Sequence, residues 1–499
     1  MSQRKAGVIV GYLNILVKNC VNLIYTPLLL HFLGQADYGV FQMTNSTVVT
    51  LTLLSVGFTE SYLRFYSQRK IHGNDDDIRR LNALYFTMYL SIAVLSLILG
   101  GILVANVDSL FAQGLTANQV ALSRSLMIIM VGNIAVSFLS TPFDAFIMAN
   151  EQFVFQQSRQ LFTQLAIPVI AIVSLYCGMG AVGVATAQFT VSCILLFLNV
   201  RFAYGKLHMR FLFRNHEHGL FKAILMFSFW ILLNQIFEMV NQQVPSFLLG
   251  ALSGATTVAV FSIALQIRTL FISLSVTISN VFSPLINRMV AEKDDNTALT
   301  ELMIKVGHYQ LMLFCFIFGG FVIVGHFFID VWAGKANSDA YYLAVLMSLP
   351  VVVPLIQNTG IEIQRAKNRH RMRSLIYVLT AVLNIIISVL LIPTLGYWAT
   401  VLGYVTSLIL GPGLFMNWYY QYRIGLDMVS FWKRQIPTLL LSACIIMLCL
   451  FGTWVVPVDG FISFFGWGIS YVGISIVAFW TLILSPEEKT TIIGRLHRA

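Results

Sequence analysis

Asn14, Lys18 and Asn22 stand four residues apart in the first long apolar stretch of the chain, roughly residues 7–32. That spacing puts all three on one face of a helix. A lysine this deep in an apolar helix is costly unless it faces protein or water, so it marks a polar pathway by default. The same pattern recurs. Asn234, Glu238, Asn241 and Gln242 share a face in a later stretch, and Asn133, Ser137, Thr141 and Asp144 do so in another. Gln157, Gln160 and Gln164 follow, then Arg268 with Ser275 and Ser279, then Asn358, Glu362 and Arg365. Any one stripe is explained by hydrogen bonds between helices. Together they fit a hydrated cavity. The deep cations Lys18 and Arg268 suit an anionic group such as a phosphate, with Arg able to make bidentate contacts. Glu238 either neutralises one of them or titrates in a proton- or sodium-coupled cycle. Asp144 is a second coupling or ion-pair candidate. Glu60 with Arg64, four residues on, and Glu362 with Arg365 lie near helix ends expected at the cytoplasmic side, as gate candidates.

These side chains must be positioned by membrane helices. Of the 499 residues, 58% are hydrophobic and only 10% charged, whereas soluble domains carry about 25% charge. At about 20 residues per span, the apolar runs give about 14 spans, an all-α polytopic membrane protein. The runs are long rather than short and alternating, which excludes a β-barrel. With both termini in the cytoplasm, only Arg124 and Lys335 fall outside and Lys18 and Arg268 fall within the membrane. Every other lysine and arginine falls inside, as the positive-inside rule requires. The net charge of +10 is thereby explained without nucleic acid. The six cysteines form no CxxC and imply neither metal nor disulfide.

The chain carries a weak internal repeat. Gly180 and Gly396 mark similar outer turns 216 residues apart, and Asn14, Lys18 and Asn22 match Asn234, Glu238 and Gln242 at an offset of 220. Two six-helix lobes in parallel orientation follow. The N-lobe is 1–206, a cytoplasmic linker 207–220, the C-lobe 221–425, and two extra spans with a cytoplasmic tail occupy 426–499. Gly178-Met179-Gly180-Ala181-Val182-Gly183 matches GxGxxG but lacks the strand before it that a dinucleotide site needs. No HExxH or P-loop is present, so no cofactor and no enzymatic role are expected. A membrane-embedded polysaccharide polymerase or glycosyltransferase, the rival from another class, predicts a long outer loop. The longest here is about 107–118.

Phe32-Leu33-Gly34 with Tyr38-Gly39-Val40-Phe41, and Val56-Gly57-Phe58 through Arg64-Phe65, resemble bacterial polysaccharide flippases of the multidrug/oligosaccharidyl-lipid/polysaccharide (MOP) exporter superfamily. So do Ala145 through Phe153, Gln364 through Asn368, Asn384, Ile392-Pro393 and Gly396. The resemblance covers about residues 7–425. It implies a V-shaped, two-lobed bundle in the cytoplasmic (inner) membrane. It also implies alternating access through a cationic central cavity for undecaprenyl-pyrophosphate-linked oligosaccharide, such as O-antigen or capsule repeat units. Expected partners are that glycan, the lipid bilayer, and polysaccharide polymerase and other assembly proteins. The rival readings within the superfamily are a cation-coupled multidrug exporter, which favours an aromatic, acidic cavity, and a lipid II flippase.

Overall fold

The computed structural model describes residues 3–213, 218–280, 282–293, 295–367, 369, 371–486 and 488–490. The protein is 89% helical, with no strand among the described residues. Helices suit long apolar runs because they satisfy every backbone group internally, as lipid demands. Twelve of the helical runs among the described residues are long and apolar enough to cross a membrane. One of them, Leu13–Ile71, takes in two of the expected spans. The segment expected as the tenth span is broken into three short helices and is not among the twelve.

Packing divides the chain into two compact units. The first comprises Met1–Ser262 and Ile385–Thr400, the second Ile263–Asn384 and Val401–Ala499. This grouping by packing cuts the chain elsewhere than the sequence repeat does, and the lobe boundaries at 206 and 220 stand as a proposal about ancestry.

In unit 1, the run labelled α1 (Gln3–Val49) is two helices joined at a kink at Gly34, whose backbone (φ 73°, ψ 169°) is not helical. A 3-10 turn, Thr50–Ser55, leads into α2 (Phe58–His72). Then come α3 (Asp75–Ala105), the short α4 (Val107–Phe111), α5 (Ala117–Ala149), α6 (Phe153–Tyr176) and α7 (Gly180–Gly205). Local chemistry sets these starts. Asn74 N donates to Asp77 Oδ2 at 3.0 Å, and Thr116 N to Gln119 Oε1 at 3.0 Å, so α3 and α5 open on capping boxes. Three aspartates, Asp75 to Asp77, occupy the first turn of α3, where the helix dipole favours them. The helices α8 (His218–Gln242), α9 (Val244–Leu252) and the start of α10 (Ala255–Asn280) complete the unit. Tyrosines hold α2 to α3 and α5. Tyr62 donates to Asn82 Oδ1 at 2.6 Å, Tyr66 donates to Asn150 Oδ1 at 2.9 Å, and the Ser61 and Tyr85 hydroxyls are 2.6 Å apart.

In unit 2, the short α11 (Ser283–Glu292) precedes α12 (Asn296–Trp332), which is capped by Asp295 through Thr297 N at 2.8 Å. The broken segment is α13 (Ala340–Ser348), α14 (Val352–Ile356) and α15 (Asn358–Ala366). Pro350 and Pro354 lie in it, and each removes a backbone donor. Next are α16 (Arg371–Leu395) and α17 (Tyr397–Leu408), both shared between the units, and α18 (Met416–Tyr419). A π-helical stretch containing Pro412 precedes α18. The final pair, α19 (Met428–Val455) and α20 (Phe461–Ala478), packs on α12. Gln435 donates to the Ile304 carbonyl at 3.1 Å, Arg434 grips Glu301 with two bonds of 2.8 and 2.9 Å, and Tyr471 donates to the Cys315 carbonyl at 2.9 Å. Their outer faces carry exposed Met447, Leu448, Phe451, Ile462 and Ile469, an apolar surface of the kind that lipid covers.

Gly180 and Gly396, the paired turns of the repeat, have φ of 55° and 54°. A second pair, Gly34 and Gly254, stands at the other offset, with φ of 73° and 105°. Left-handed backbone at each favours glycine.

Candidate functional site

A cavity of about 700 Å³ lies in unit 1, walled by α1, α5, α6 and α7. That is the size of ordinary ligand pockets, roughly 300–1,000 Å³. Helical spacing delivers its lining. From α1 come Lys18, Asn22 and Tyr25, and from α5 Ser137, Ser140, Thr141 and Asp144. From α6 come Gln156, Gln160 and Gln164, four residues apart, with Arg159 and Thr163. Gln188, Ser192 and Asn199 come from α7. Intervals of three or four residues keep each set on one face.

One ion pair organises the wall. Arg159 Nη2 lies 2.5 Å from Asp144 Oδ1, and Arg159 Nη1 donates to Asn199 Oδ1. Asn199 Nδ2 in turn donates to Ser140 Oγ at 2.8 Å. The Arg159 side chain is 13% exposed and that of Asp144 32%. A guanidinium fork can hold two acceptors at once, so this single residue ties α5, α6 and α7 together. Lys18 is different. It is exposed to the cavity, and among the described residues no carboxylate pairs with it.

The sequence candidates divide by position. Lys18, Asn22 and Asp144 line the cavity. Asn14 does not. It is 3% exposed, and its Nδ2 donates to the Gln157 carbonyl at 2.9 Å and to Gln157 Oε1 at 2.7 Å. Asn14 and Gln157 thus hold α1 against α6. The stripe is wide enough that one edge meets the neighbouring helix while the other meets the cavity. On α8, Glu238 is exposed and accepts from Gln242 Nε2 at 3.3 Å. Asn241 is buried, and its Nδ2 donates to the Phe237 carbonyl of its own helix at 2.9 Å. The Asn234 side chain lies outside the described residues, as do Ser275 and Ser279.

Arg268 belongs to unit 2. It is 2% exposed, its guanidinium sits 4.6 Å from the centre of the Tyr404 ring, and its Nε and Nη1 have no hydrogen-bond partner among the described residues. The gate candidates also part ways. Glu362 and Arg365 form an ion pair at 2.7 Å. Glu60 and Arg64 form none among the described residues, because Arg64 lies over the Phe227 ring instead, 5.2 Å from its centre. Both are exposed, where a solvated pair gains little and a ring face competes.

Arg159 and the α7 residues were not among the sequence candidates. Arg159 reads as one more basic residue at a cytoplasmic helix end. Gln188, Ser192 and Asn199 do keep helical spacing, but among apolar neighbours they read as ordinary interhelical contacts.

The whole fold has solved counterparts. The lipid II flippase MurJ in an inward closed conformation superposes with a TM-score of 0.74 at 13% identity, covering 96% of this chain and 100% of that one. An inward-facing multidrug resistance MATE family transporter of the MOP superfamily gives 0.61 at 14% identity, over 84% and 95%. A mutant of the Vibrio cholerae MATE transporter VcmN gives 0.55 at 11%, over 85% and 98%. At such identities the likeness is one of fold. A search of the curated proteins finds no match. Residues 5–290, more than half of the chain, match the family described as polysaccharide biosynthesis protein. This chain, a multi-pass membrane protein with the fold of MOP superfamily transporters, belongs to that polysaccharide biosynthesis family.

Proposed function

We propose that the protein is a flippase, moving undecaprenyl-pyrophosphate-linked oligosaccharide repeat units of an O-antigen, capsule or exopolysaccharide across the cytoplasmic membrane by alternating access. The observation that carries this reading is the polar cavity of unit 1 with Lys18 on its wall, unpaired with any carboxylate among the described residues. An unneutralised ammonium inside an apolar bundle attracts an anionic ligand. Family membership supports a role in polysaccharide assembly, and the likeness to a lipid II flippase supports lipid-linked cargo. Arg268, buried with Nε and Nη1 unpartnered among the described residues, is proposed as the anion contact of unit 2, reached after the Tyr404 ring moves aside. Glu362 and Arg365 are proposed to pair and part at the cytoplasmic gate. A polymerase is the natural partner downstream.

Two expected results follow. Lys18→Ala abolishes surface-polymer assembly while the protein stays at its normal level in the membrane. Full-length polymer from this variant would overturn the anionic-cargo reading. A MATE-like multidrug exporter is the second reading, favoured by the fold likeness. It predicts drug extrusion from cells expressing the protein, and no glycan phenotype. Glu238→Gln is expected to alter the dependence of flipping on an imposed proton or sodium gradient in vesicles, since Glu238 is exposed and, among the described residues, engages Gln242 alone through a long bond. An unchanged gradient dependence assigns Glu238 to helix packing.

A further inference from the structure

Outside the cavity, α7 carries a second stripe. Cys193, Phe197, Arg201 and Tyr204 are all exposed, and intervals of three or four residues keep them on one side of the helix. The stripe turns from apolar to cationic toward the end of α7. On a membrane helix such a face meets lipid, and aromatic and basic residues at its end stand at the headgroup level.

The chain beyond α7 turns back on this end of the helix. Met209 is buried, and its N donates to the Ala203 carbonyl at 2.9 Å. Leu212 N donates to the Arg79 carbonyl at 3.0 Å, and the Arg210 carbonyl accepts from Asn82 Nδ2 at 3.1 Å. The first half of the segment expected as a linker is thus a strap fixed to unit 1. The Phe211 ring lies 5.4 Å from that of Phe86 on α3 and 5.9 Å from that of Tyr204 on α7, centre to centre, so the strap ties these two helices together.

An open pocket of about 480 Å³ results, lined by Tyr204, His208, Met209, Arg210 and Phe211. His208 has a φ of 52°, a left-handed backbone that is costly for any residue but glycine. A glycine would fit there without strain, so a histidine points to a use of its side chain. The Arg201 and Arg210 side chains are exposed, and neither has a hydrogen-bond or ion-pair partner among the described residues. On α3, Asp76 is taken by Arg79 at 3.0 Å and Asp77 by Arg80 at 3.8 Å. The positive-inside rule asks only that basic residues lie on one side of the membrane. It does not ask for a fixed strap, a strained histidine or exposed rings beside them.

We propose that this pocket seats the headgroup of one anionic phospholipid. Arg201, one turn from Tyr204, meets its phosphate together with His208 and Arg210, and its acyl chains lie along Tyr204 and Phe197. Guanidinium forks suit phosphate oxygens, and basic pockets at the cytoplasmic ends of membrane helices hold anionic headgroups. A soluble anion would gain nothing from the apolar stripe. The proposed orientation puts the site in the cytoplasmic leaflet. The inference goes beyond the transport reading and does not involve cargo.

The test is native mass spectrometry of delipidated full-length protein, titrated with phosphatidylglycerol, phosphatidylcholine and inorganic phosphate. One phosphatidylglycerol is expected to bind about tenfold more tightly than phosphatidylcholine, and excess inorganic phosphate does not displace it. Arg201→Gln with Arg210→Gln brings that preference to about one. Lys293→Gln with Lys433→Gln removes the same charge from exposed sites of unit 2 and keeps the preference. His208→Gly suits the left-handed backbone, so it keeps the fold should the arginine pair variant lose it. It weakens phosphatidylglycerol binding about threefold. Equal affinity for the two lipids, displacement by inorganic phosphate, or a preference that survives loss of both arginines would each overturn the proposal. So would a preference that the unit 2 variant abolishes as well, or wild-type affinity in His208→Gly. None of these readouts depends on flipping, so the lipid site and the transport reading fail separately.

Discussion

Replacing Gly39 by alanine is expected to leave no correctly folded protein in the membrane. A Cβ at that position would stand 1.8 Å from the Ala255 carbonyl oxygen and 2.6 Å from its carbon. Both atoms are backbone at the start of α10, so no side-chain rotation relieves the overlap. The crossing is tight on both sides. A Cβ at Gly250 would lie 1.9 Å from Met43 Sδ, and one at Gly114 2.0 Å from the Gly250 carbonyl oxygen. Small residues let membrane helices approach closely, and dispersion and packing replace the absent hydrophobic drive. Separating these backbones would undo packing along α1, α9 and α10 together. Overpacking a well-fitted interior typically costs about 1–3 kcal/mol, and a backbone-on-backbone clash sits at or beyond the upper end. The measurement is the yield of monodisperse protein after detergent extraction, with Gly101→Ala as the control. A Cβ at Gly101 meets nothing within 4 Å. Equal yields from the two variants would show that α1 and α10 have room to part.

Arg159→Ala is expected to cost transport entirely and stability in part. The substitution removes a guanidinium that joins Asp144 on α5 to Asn199 on α7, and leaves a partly buried carboxylate on the cavity wall without its counter-charge. Breaking a buried ion pair costs about 3–5 kcal/mol, and an exposed pair is worth about 0–1. With side-chain exposures of 13% and 32%, about 1–3 kcal/mol lies between those limits. Asp144→Asn together with Arg159→Gln keeps shape and hydrogen bonding without charge. The double variant should melt closer to wild type than Arg159→Ala does, which a thermal-unfolding double-mutant cycle measures. An Arg159→Ala protein that melts and flips like wild type would remove this pair from both roles.

Much of the architecture was legible in the sequence because a membrane imposes its rules locally. A helix that spans lipid must be long and apolar, so hydropathy alone marks α3, α5, α6, α7, α12, α16, α19 and α20. Glycine at Gly180 and Gly396 announced turns, since each adopts a left-handed φ that side chains disfavour. Gly34 was legible too, since its non-helical backbone breaks the run Gln3–Val49 into two helices between the expected spans. Local rules failed where one span breaks. The prolines near α14 divide that span into pieces.

The site was legible by halves, and the dividing line is again physical. Spacing along one helix fixes which residues share a face, and that placed Lys18, Asn22, Thr141, Asp144, Gln160 and Gln164 as polar faces seeking water or a partner. What each face meets depends on a neighbouring helix far away in the chain. Only the fold decided that Asn14 is consumed by Gln157, that Arg64 lies on Phe227, and that Arg159 closes on Asp144 across the α5–α6 turn. Only the fold placed Lys18 and Arg268 in different compact units, one open to a cavity and the other buried beneath a tyrosine. The sequence by itself determined that helices cross a membrane and carry polar faces, because periodicity is a property of a single helix. Which of those faces became a cavity was decided by packing, because a cavity exists only between helices.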